Sequence, residues 1–109
     1  MANKILFGDN GNGPVQESEV NERQTVKFYC NVDFSIIFGS DLKDKHLESS
    51  SKTQLTAANR KTQDVVFPAD PHEGAYRIKI KFRDIPEEGF KYTVKTANGD
   101  LDPRVVPPR

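Results

Sequence analysis

The sequence predicts an all-β protein: a single antiparallel β-sandwich of seven or eight short strands with at most one short helix. Three observations lead there. Val, Ile, Phe and Tyr are gathered into short blocks in which every second side chain is apolar, the period of a strand with one buried face. Clusters of Gly, Pro, Asn and Asp separate these blocks at sandwich-like intervals. At 109 residues, with no internal repeat, the chain fits one domain over residues 1–109 and one core.

Taken in order, Lys4 to Phe7 predicts a first short strand, ended by the loop Gly8 to Pro14. That loop lacks the spacing of a phosphate-binding motif. Residues 15–23 are highly charged and suit an exposed connection or polar edge strand. Val26, Phe28 and Cys30 then alternate against Thr25, Lys27 and Tyr29, and Val32, Phe34, Ile36 and Phe38 continue the rule. Asn31 between the two runs predicts a tight turn or a bulge in one bent strand. Ser40 can cap a helix of barely two turns in which Leu42 and Leu47 face the core. Thr53 to Ala57 predicts a strand, Asn59 to Lys61 a polar turn, Gln63 to Phe67 a strand, and residues 68–74 a loop.

The clearest pattern follows. From Gly74 to Lys95, Tyr76, Ile78, Ile80 and Phe82 alternate with Arg77, Lys79, Lys81 and Arg83. Phe90, Tyr92 and Val94 then alternate with Lys91, Thr93 and Lys95, and Pro86 and Gly89 mark the turn between the two runs. The expectation is a hairpin whose inward residues make half of the core. After it, Asn98-Gly99 predicts a second hairpin, and Leu101 to Val106 pairs back as a last strand with Pro103 at an edge.

The C-terminal pattern, G-x-Y-x-I-x-I, then F-K-Y-T-V-K, an N-G turn and L-D-P-R-V-V, resembles the endings of small cupredoxin-like Greek-key β-sandwich domains, many in uncharacterised bacterial proteins. It covers Val65 to Val106. The resemblance implies a Greek-key layout, cupredoxin-like or immunoglobulin-like. Copper-binding members of that class use two His, a Cys and a weak Met, the Cys and Met being close together near the C-terminus. Here the loop between the last strands holds no ligand, Cys30 lies early, and the one methionine is Met1. The resemblance therefore carries over no copper site and no cofactor.

Composition narrows the function. The hydrophobic fraction is 35% and the mean hydropathy −0.69, so the clustering of apolar residues implies a small core with long polar loops. Sixteen basic and 16 acidic residues give a net charge of +0, which argues against a purely electrostatic nucleic-acid binder. A lone cysteine leaves no intrachain disulfide and points to the cytoplasm. Three consecutive apolar residues near the N-terminus are too few for a signal-peptide core, and no run approaches transmembrane length.

Three groups of residues could carry chemistry. Cys30 with His46 or His72 could pair as nucleophile and base or as metal ligands, against the simpler reading of Cys30 as a core residue. Asp41, Asp44 and Glu48, or Asp70 and Glu73, could meet a cation but lack a calcium-loop spacing. The ladder Arg77, Lys79, Lys81, Arg83 is the strongest candidate. Paired with the next strand, it gains Lys91 and Lys95 and places up to six cations on one face. Like charges across strands call for an acidic counterpart. The expectation is a non-enzymatic module that binds a protein partner or another copy of itself. Anion or nucleic-acid binding through that face is the first alternative, with nucleic acid disfavoured because the aromatic side chains fall on the opposite side. A small metal protein using Cys30, His46 and His72 is the second.

Overall fold

A computed structural model describes residues 4–7, 17–39, 41–42, 44–48, 60–61 and 64–108 of the chain. The loop expected at Gly8 to Pro14, the Ser40 cap and the strand expected at Thr53 to Ala57 lie outside the described residues. Among those described there are eleven strands, one 3-10 turn at Asp44–His46 and no α-helix.

The strands form two mixed sheets. Sheet I runs in the order β1 (Lys4–Leu6), β3 (Thr25–Cys30), β8 (Ala75–Lys81), β7 (Asp70–His72). Sheet II runs β2 (Glu17–Glu19), β11 (Arg104–Val106), β9 (Phe90–Thr96), β4 (Phe34–Phe38), β6 (Asp64–Pro68), β5 (Arg60–Lys61), and β10 (Gly99–Leu101) also pairs with β9. All pairs are antiparallel except β1 with β3 and β11 with β2. This corrects the expectation of a wholly antiparallel arrangement. Parallel neighbours need a crossover of about a dozen residues or more, and the one from β1 to β3 contains β2, a strand of the other sheet.

The largest correction concerns Gly74 to Lys95, which is not a hairpin. β8 lies between β3 and β7 in sheet I, whereas β9 lies in sheet II beside β4, β10 and β11. Their connection crosses the end of the core, burying Phe82 and Ile85 as it goes. It then turns at Pro86–Gly89, where the Gly89 amide donates to the Pro86 carbonyl at 2.8 Å. Alternation dictates which face of a strand is buried, but not which strand lies beside it. Asn31 likewise marks a change of sheet, since β3 and β4 belong to different ones. The two sheets face each other across one core, with Phe28 of β3 meeting Tyr92 of β9 edge-on at 5.9 Å.

Three pairs of consecutive strands do pair antiparallel among the described residues: β5 with β6, β7 with β8 and β9 with β10. β7 and β8 are joined by Glu73 and Gly74, whose φ values of 50° and 81° give the left-handed pair that suits the strand twist. The residues expected to form a loop there pair instead. The β9–β10 hairpin expected from Asn98-Gly99 is present, with its turn one residue earlier. Thr96 and Gly99 are the flanking pair, and the Thr96 hydroxyl accepts from the Asn98 amide at 3.1 Å and donates to the Gly99 carbonyl at 2.9 Å. Asp102 and Pro103 split the expected last strand into β10 and β11, and Arg60–Lys61 pairs with β6 rather than turning. These breaks raise the strand count above seven or eight. Leu42 and Leu47 are both fully buried as expected, and among the described residues the helical segment near them is the single 3-10 turn Asp44–His46 rather than two turns of α-helix. Residues five apart sit about 140° apart around an α-helix, which is a poor fit to burying both.

Tyr92 is 2% exposed, and its hydroxyl has no hydrogen-bond partner among the described residues. Burial pushes its phenol well above the ordinary value of 10.0. The folded state thus holds a proton that the unfolded chain releases. Stability is complete below the ordinary value and falls above it, by at most about 1.4 kcal/mol per pH unit. Tyr92→Phe, which removes an unsatisfied polar group, is expected to match or exceed the wild type at pH 7 and to outlast it above pH 10 in denaturant titrations. Identical alkaline profiles would contradict this. No helix among the described residues is long and apolar enough to cross a membrane.

Candidate interaction face

The outer side of sheet I gathers cations through strand register. Alternation turns Val26, Phe28 and Cys30 of β3 and Ile78 and Ile80 of β8 into the core, so Lys27, Lys79 and their neighbours point outward. Lys4 pairs with Lys27 across β1 and β3, and Lys27 pairs with Lys79 across β3 and β8. All three are exposed. At an interstrand spacing of about 4.8 Å, they form a row about 10 Å long. The next row is Leu6, Tyr29, Arg77 and Asp70.

This second row is a contact network. Lys4 Nζ lies 5.1 Å from the centre of the Tyr29 ring, a cation–π distance. Tyr29 lies beside His72 at 6.3 Å between ring centres, and Arg77 Nη1 is 3.1 Å from His72 Nε2. A guanidinium only donates, so His72 Nε2 accepts there. Glu73 approaches the same nitrogen at 3.5 Å, but at 85% exposure water screens it. Leu6 is 56% exposed, the one large hydrophobic side chain so open among the described residues.

The six cations expected on one face are divided. Arg77, Lys79 and Lys81 lie on the outer side of sheet I. Arg83, just past β8, is turned to Glu48, its Nε 3.4 Å from Oε1, while its amide donates to the His46 carbonyl at 2.8 Å. It ties the 44–48 segment to the end of sheet I. Lys91 and Lys95 belong to β9 and point out from sheet II, where Lys95 pairs in register with Asp100. In their place the register brings Lys4 and Lys27, which sequence reasoning missed although Lys27 stood on the outward phase of its strand. Tyr29 also lies on the cationic face, contrary to the expectation that the aromatic side chains fall opposite.

Cys30, His46 and His72 do not converge. Cys30 is buried in sheet I, 2% exposed, and pairs with Tyr76. His72 lies on the outer side of the same sheet, paired with Ala75. His46 is buried near the far end of β8, where neighbouring Leu47 bridges Phe82, about 20 Å along the strand from Tyr76. Among the described residues, no three His, Cys, Asp or Glu side chains stand close enough to hold a metal ion. Glu48, one of the carboxylates considered for a cation, is engaged by Arg83 and Arg23. A scan against protein-family models and searches of curated proteins and of solved structures return no match.

Proposed function

We propose that the chain is a non-catalytic binding module with a Greek-key, cupredoxin-like layout, and that it docks an acidic protein surface on the outer side of sheet I. The row Lys4, Lys27, Lys79 carries this reading. Like charges directly opposite each other cost stability, and no ion pair within 4.0 Å engages any of the three among the described residues. An acidic partner would relieve that repulsion and steer association. Tyr29 and Leu6 beside the row offer the aromatic and aliphatic contact that protein interfaces use at their centres. The layout is supported by non-consecutive neighbours in both sheets, β3 between β1 and β8 and β4 between β9 and β6.

The test is a titration of isotope-labelled protein with a glutamate-rich peptide, followed by NMR. Saturable shifts are expected at Lys4–Leu6, Lys27–Tyr29 and Arg77–Lys79, weakening with added salt. Lys27→Glu with Lys79→Glu is expected to weaken binding about tenfold or more, equivalent to about 1.4 kcal/mol. Lys91→Glu with Lys95→Glu, on the other sheet, is expected to leave it within about twofold. Equal loss in both double variants would overturn the assignment. Tighter binding of a single-stranded oligonucleotide than of the peptide would favour the nucleic-acid alternative.

A further inference from the structure

A second feature lies away from sheet I. At one end of sheet II a cleft of about 610 Å³ opens between Asp41, Lys45 and His46, the Pro86–Gly89 turn and the starts of β9 and β11. That volume is in the range of small-molecule sites. Three cations line it: Lys45, Lys91 and Arg104. Lys91 and Arg104 are directly paired across β9 and β11, while Glu17 of β2 stands in register on the other side of Arg104. Among the described residues no ion pair within 4.0 Å engages any of the three.

The Arg104 guanidinium is held in place. Its Nη1 donates to the Glu88 carbonyl at 2.6 Å, which leaves other N–H donors of the same planar fork for a ligand. Such a fork matches the geometry of a carboxylate or phosphate. Beside it the cleft has an aromatic wall, where buried His46 packs edge-on against Phe90 at 4.7 Å between ring centres. Asp41 and Glu88 also line the cleft. The lining thus carries three cations against two carboxylates, a small positive excess that suits a small anion rather than an extended polyanion. The turn that shapes the cleft is fixed by Gly89, whose φ of 74° lets the backbone pass close to Val105.

We propose that this cleft binds a small organic anion, its carboxylate or phosphate held by Arg104 and Lys91 and its apolar body laid against Phe90 and His46. The site is distinct from the sheet I face and does not rest on it.

Benzoate and phenyl phosphate, two probes with the same ring and different anionic groups, separate the two sources of charge. Each is titrated to about 20 mM against isotope-labelled protein, enough to saturate a millimolar site. The expected result is saturable shifts of the Gly89, Phe90, Lys91 and Arg104 amides with at least one probe, the tighter probe identifying the preferred group. Lys91→Gln with Arg104→Gln is expected to weaken that probe about tenfold or more. Because Arg104 also supports its turn, Lys45→Gln with Lys91→Gln serves as a second variant. Both side chains are exposed, so the fold is retained, and a weakening of about threefold or more is expected. The proposal is overturned if neither probe gives saturable shifts at those amides, or if binding is unchanged in the Lys45 and Lys91 variant.

Discussion

Phe38→Ala is expected to cost about 3–5 kcal/mol, a large part of the roughly 5–15 kcal/mol that holds a domain of this kind folded. Phe38, the last residue of β4 in sheet II, is 1% exposed. Its ring lies 5.9 Å from Phe67, 6.0 Å from Phe82, 6.3 Å from Phe90 and 5.4 Å from Tyr92. Phe67, Phe90 and Tyr92 belong to sheet II, while Phe82 follows the last strand segment of sheet I. Removing the ring therefore opens a cavity and forfeits aromatic contacts that join the two sheets. Ile37→Ala provides the comparison, since Ile37 is half-buried on the other face of the same strand and is expected to cost about 1 kcal/mol. Urea unfolding followed by circular dichroism measures both. Equal midpoints for the two variants would mean that Phe38 does not occupy this position.

Gly89→Ala is expected to be more damaging than the same change at Gly39 or Gly74, at about 2–5 kcal/mol. About 1–2 kcal/mol comes from forcing a side chain into the left-handed region and about 1–3 kcal/mol from overpacking. Gly89 has a φ of 74°, and a Cβ there would run into the Val105 carbonyl oxygen and stand 2.8 Å from Val106 Cγ1. Val105 and Val106 are both fully buried and have nowhere to retreat. Two other glycines separate the contributions. Gly74 has a φ of 81° with nothing within 4 Å, so Gly74→Ala is expected to cost only the conformational part, about 1–2 kcal/mol. Gly39 has neither constraint, and Gly39→Ala is expected to stay within about 0.5 kcal/mol. Thermal midpoints in the order Gly39, Gly74, Gly89 would support the turn geometry. Similar midpoints for all three would contradict it.

Side-chain phase was legible in the sequence, and strand neighbours were not. Alternation places Ile78, Ile80, Phe82, Phe90, Tyr92 and Val94 inward, and all are buried; Tyr76, on the same phase, is half-buried against the core. The same alternation says nothing of whether β8 lies beside β9 or beside β3. The short polar segment after Phe82 looks like a hairpin loop, yet Phe82 and Ile85 anchor it over the end of the core. The candidate face suffered for the same reason. Lys79 meets Lys27 and Lys4 because distant segments pair, and no local pattern encodes that. His46 shows a different limit: it is buried against Phe90 although it stands in a run of charged residues, which no local pattern distinguishes from a solvated surface.

Whether the cations of β8 and β9 share a surface is decided most directly by backbone nuclear Overhauser contacts in isotope-labelled protein. Cross-strand contacts are expected between Val26 and Ile80, Lys27 and Lys79, and Phe28 and Ile78, with a parallel set joining Lys4 to Lys27 and Ile5 to Phe28. β9 is expected to show its contacts to β4, as between Ile36 and Val94. A continuous antiparallel ladder between β8 and β9 would contradict the two-sheet division and return Lys91 and Lys95 to the same face as Lys79.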